Sequence, residues 1–67
     1  MDPRRVRLQL RIVKVAMQAA RPAERVGMLP RAIEILDNVA FEIESEPDPA
    51  LARLLAEVRN EVEGRRN

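Results

Sequence analysis

Sixty-seven residues without cysteine or histidine make one small domain, residues 1–67, with no disulfide and no structural zinc site to hold it. A chain of this size buries only about 60% of its unfolded surface, which leaves helix packing and self-association as its means of stability. The net charge of +1 falls short of a strongly basic nucleic-acid-binding footprint, and no run approaches the roughly 20 apolar residues of a membrane span.

The first element is predicted over residues 3–20. Asp2 is placed to cap the free amides of its first turn, and Pro3 follows where a proline loses no hydrogen bond. On a helical template Arg4, Arg7, Arg11, Lys14, Gln18 and Arg21 fall on one narrow strip at i, i+3, i+4 spacing. Apolar side chains from Val6 to Ala20 fill most of the remaining circumference. That arc covers about 220°, against roughly 100° for an ordinary surface helix, so this helix should be covered on more than one side. A strand competes over residues 6–12, where Val6, Leu8, Leu10 and Ile12 alternate with polar residues as in the first strand of a ribbon–helix–helix dimer. The alternation fails at Ile12–Val13 while the helical strip continues to Arg21, which favours the helix.

The residue before Pro22 is pushed out of the α region, so the first helix should end near Arg21. Over residues 22–29 the preferred expectation is a short helical turn, ended by Gly27 in a left-handed conformation, and then a loop. Met28 and Leu29 would be apolar residues on that connector. The alternative is helix from Ala23 onward, kinked at Pro30.

A second helix is predicted over residues 30–45, with Ala32, Ile33, Ile35, Leu36, Val39, Ala40 and Ile43 on one face. Phe41, the chain's only aromatic residue, lies nearly opposite the centre of that face and suits an interface anchor or a cover over neighbouring structure. A third helix is predicted over residues 49–63. Asp48–Pro49 repeats the capping device of Asp2–Pro3, and Leu51, Leu54, Leu55, Val58 and Val62 form a stripe close to a coiled-coil seam. Gly64 is expected to end it as a left-handed residue, with Arg65 and Arg66 at its negative end. The fold class is all-α: an antiparallel three-helix bundle centred on the first helix and self-associating, with a dimer preferred because closed twofold pairs are commonest.

Charge is unevenly distributed. Residues 1–31 carry eight basic and two acidic side chains, a balance of +6, and residues 32–67 carry four and nine, a balance of −5. The favoured expectation is a self-complementary fold in which the basic helix lies beside acidic ones. The sharper alternative is an exposed basic face for nucleic acid or an acidic partner.

Catalytic options are few. Histidine, cysteine, threonine, tyrosine and tryptophan are absent and Ser45 is the only hydroxyl, which removes thiol catalysis, a Ser–His pair and imidazole acid–base chemistry. Ser45 itself suits a helix-end role. Gly27 and Gly64 are too far apart for a phosphate loop, and Lys14 falls on the polar strip rather than in a pocket. Glu42, Glu44, Glu46 and Asp48 lack the glycine and twelve-residue loop of a calcium hand and read as a solvated acidic face. No cofactor or metal is expected, and no enzyme. Segment 3–23 is basic and acid-free like a mitochondrial presequence but contains no serine. Arg7, Arg11 and Lys14 interrupt any secretory apolar region, and a cytoplasmic location is expected.

The function expected is a small helical protein–protein interaction module acting as a homo-oligomer, with Arg4, Arg7, Arg11, Lys14 and Arg21 as its basic strip and Met28, Leu29 and Phe41 as apolar anchors. The alternative is a small nucleic-acid-binding regulator that uses the same strip. A membrane-surface role is set aside, because the apolar face of the first helix has no Trp or Phe.

Overall fold

A computed structural model, which describes residues 1–64, consists of three α-helices. They are α1 (Pro3–Ala19), α2 (Pro22–Ser45) and α3 (Pro49–Gly64). Residues 6–12 are helix, not strand. Both Asp–Pro caps form: Asp2 Oδ1 accepts from the Arg4 amide at 3.0 Å, and Asp48 Oδ1 accepts from the amides of Ala50 and Leu51 at 3.0 and 3.2 Å. Each carboxylate also meets the positive end of its helix dipole.

The helices make an antiparallel bundle in which α1 and α3 run the same way. The Met1 amine sits 3.2 Å from Glu46 at one end, and Lys14 pairs with Glu57 further along both helices. At the other end Arg25 Nε of α2 donates to the Met17 carbonyl at 3.2 Å, answering one of the carbonyls left open where α1 stops.

The core closes within one chain. Val6, Leu10, Val13 and Met17 of α1 meet Ala32, Leu36 and Val39 of α2 and Leu51, Val58 and Val62 of α3. Their spacings keep each set on one helix face, and full burial of each large side chain contributes roughly 1.5–3 kcal/mol. Leu54 and Leu55 pack partly against this cluster, completing the α3 stripe expected from its periodicity. No polar side-chain atom among the described residues is buried without a hydrogen-bond partner.

Three expectations need correction. Residues 22–29 are not a turn and a loop, because α2 runs unbroken from Pro22 to Ser45 through Gly27 and Pro30. Neither described glycine has a positive φ, so Gly27 does not end a helix and Gly64 is the last described helical residue of α3 rather than a left-handed cap. Arg65 and Arg66 lie outside the described residues. The cause in α2 is packing. Met28 and Leu29 extend the buried stripe of Ala32 and Leu36 by one turn and pack against the core, which offsets the cost of a helical glycine and proline. Third, α1 is not surrounded: it buries one stripe against α3 and α2, more extensively against α3, and leaves much of its apolar arc outside.

Two substitutions test these local arguments. Asp48→Ala removes the carboxylate that holds two amides of α3 and should lower stability by about 1 kcal/mol in a denaturant melt. Gly27→Ala should raise it by about 0.5–1 kcal/mol, because Gly27 has ordinary helical backbone and a β-carbon built there meets nothing within 4 Å. A destabilised Gly27→Ala protein would mean that the helix does not run through this point.

Candidate interaction face on the first helix

Around its circumference α1 carries three lengthwise stripes. The first is the buried set Val6, Leu10, Val13 and Met17. The second is the basic strip. Arg4, Arg7, Arg11 and Gln18 are exposed and Lys14 is half-buried beside α3, while the exposed Arg21 lies past the end of α1, at the N-cap of α2. The third is Leu8, Ile12, Val15 and Ala19, whose three large members are 59%, 57% and 60% exposed. Steps of four, three and four residues bring this third stripe to one side of the helix, the rhythm of a coiled-coil seam.

The sequence implied the third stripe only through the width of the apolar arc. Two neighbouring helices are present, and they cover one side of α1 each without meeting over its outer surface. Three large aliphatic side chains exposed in a row form a contiguous patch, which carries more meaning than the same residues scattered singly. The patch continues into a shallow groove between α1 and α2, where Ile12 and Ala16 stand across from Met28, Arg31 and Ile35. A second hollow toward the N-terminal end of α1 places Arg5 and Gln9 across from Asn38, Phe41 and Glu42.

The basic strip does not behave as one unit. Lys14 forms an ion pair with Glu57 of α3. Arg21 lies 4.0 Å from Glu24 of the next turn, and its amide donates to the same carboxylate at 3.4 Å. Among the described residues, no carboxylate lies within ion-pair distance of Arg4, Arg5, Arg7 or Arg11. The favoured expectation of internal charge pairing thus holds for Lys14 and fails for the outer arginines. Of the acidic side chains of α2, Glu34 pairs with Arg31 at 3.1 Å and Asp37 approaches Arg59 at 3.9 Å.

The expected apolar anchors separate as well. Phe41 is 70% exposed on the outer side of α2, as its position on the helical wheel implied. Leu29 is half-buried and belongs to the core margin, whereas half-buried Met28 also lines the groove. The basic strip and Met28 therefore adjoin the outer stripe of α1, and Phe41 stands at the far rim. Ser45 donates its hydroxyl to the Phe41 carbonyl at 3.2 Å, a helix-end bond. Among the described residues no three acidic side chains come together as a metal site, and no helix is long and apolar enough to cross a membrane.

The chemistry on this face is aliphatic surface bordered by guanidinium N–H donors. No protein-family model, no curated protein and no solved structure matches the chain.

Paired substitutions on one helix separate the buried stripe from the outer one. Leu10→Asp puts a charge at a fully buried site and should abolish the cooperative melt, a loss above about 4 kcal/mol. Val15→Asp, on the outer stripe, should change stability by no more than about 0.5 kcal/mol and leave the circular dichroism spectrum intact. Equal loss from both would show that the outer stripe is buried.

Proposed function

We propose that this protein is a non-enzymatic helical interaction module whose contact surface is the outer face of α1. The observation that carries the reading is the row Leu8, Ile12 and Val15, left exposed on a helix that has already completed its own core contacts. Retaining such a row in a domain this small costs solubility, and a partner that covers it removes that cost. The occupant is either another protein or a second copy of the chain, the homodimer expected from chain size. A cytoplasmic setting belongs to the same reading.

A second reading is supported by the guanidinium groups of Arg4, Arg7 and Arg11, which have no carboxylate within ion-pair distance among the described residues and lie on one strip as phosphate contacts do. It accounts for the charge but not for the aliphatic row beside it, which a phosphate backbone would leave uncovered. For that reason we place protein contact first.

Light scattering in low and high salt, with and without a short DNA duplex, tests the choice. An interaction module keeps the same mass when DNA is added near 0.15 M salt. A nucleic-acid regulator shifts in mass with DNA and loses affinity steeply as salt rises, with a log–log slope of roughly −0.9 for each phosphate contacted.

A further inference from the structure

We infer that the occupant of this face is an amphipathic helix with acidic flanks, supplied by another protein and seated along α1 beside α2. The inference rests on the interaction-module reading above and adds the chemistry of the partner. The spacing of Leu8, Ile12, Val15 and Ala19 repeats the advance of a helix seam, so the matching surface is a second helix rather than a strand or an irregular loop.

Charge selects the kind of helix. In the seam's register Arg4, Arg11 and Gln18 flank one side and Gln9 and Ala16 the other, with Arg5 in line with the seam near its N-terminal end. Residues 3–23 contain no acidic side chain, and the guanidinium groups of Arg4, Arg5, Arg7 and Arg11 find no carboxylate among the described residues of their own chain. Carboxylates on the edges of an incoming helix would meet Arg4 and Arg11 where edge charges choose partners in helical pairs. A second α1 in the same place offers no carboxylate over residues 3–23, so self-pairing along this seam leaves the flanking arginines without opposite charge. Anionic membrane is a poorer match, because α1 carries no aromatic residue for the interface.

The test uses labelled synthetic peptides of about 21 residues, roughly three heptads, with Leu and Ile at seam positions and either Glu or Lys at the flanks. Binding is read by fluorescence anisotropy. The wild-type chain is compared with Val15→Asp and with the double variant Arg4→Glu plus Arg11→Glu, each first shown to be helical. The chain alone is weighed by light scattering.

The inference expects the Glu-flanked peptide to bind and the Lys-flanked one to bind at least about tenfold more weakly. It expects Val15→Asp to weaken binding and the arginine reversal to exchange the peptide preference. Equal binding of both peptides, with Val15→Asp still damaging, overturns the acidic partner and leaves the interaction face standing. The same holds for a dimer that Val15→Asp splits while neither peptide binds, which assigns the face to a second copy. Binding of neither peptide, together with capture by phosphatidylserine vesicles or duplex DNA, overturns the inference and the interaction-module reading together. A monomer that binds none of these probes overturns the inference.

Discussion

The packing of Leu10 and Met17 against the other two helices governs the rest of this structure. Both side chains are fully buried and, with Val6 and Val13, commit one side of α1 inward. Once that side is fixed, helical geometry decides where every other α1 side chain goes. Lys14 reaches α3, the outer arginines face solvent, and Leu8, Ile12 and Val15 are left outside because two neighbouring helices cannot enclose a third. The candidate function is thus a consequence of a packing constraint: an apolar arc wider than its own domain can cover.

Much of the fold was legible in local signals. The two Asp–Pro caps marked the starts of α1 and α3, and the periodicity of Leu51, Leu54, Leu55, Val58 and Val62 specified the inner face of α3. The unbroken polar strip from Arg4 to Arg21 outweighed the strand-like alternation of residues 6–12. Residues 22–29 were less legible because their local preferences oppose the outcome. Gly27 and Pro30 both disfavour helix, and the gain that overrides them comes from contacts of Met28 and Leu29 with side chains distant in sequence.

The candidate site was legible by half. Its basic strip could be read directly from residue spacing, but whether that strip was paired could not be judged from the charge of each half of the chain. A balance of −5 in residues 32–67 says nothing about which helix faces meet. Glu57 points at Lys14, whereas Glu34 and Asp37 are turned toward Arg31 and Arg59. The outer aliphatic stripe was present in the sequence only as excess width, and it took the positions of α2 and α3 to show which residues made up the excess.

Gly27 and Pro30 sit in the same stretch of α2 as Met28, and this gives the α1–α2 groove unequal walls. The α1 wall is continuous helix held by the fully buried Leu10 and Met17. The α2 wall at Met28 stands on the turns with the poorest intrinsic helix preference in the molecule, where proline also withholds an amide from the ladder. Local opening concentrates where helical hydrogen bonding is weakest, so amide hydrogens near Met28 are expected to exchange with solvent ahead of those along α1. That gives the groove one firm wall and one that opens more readily.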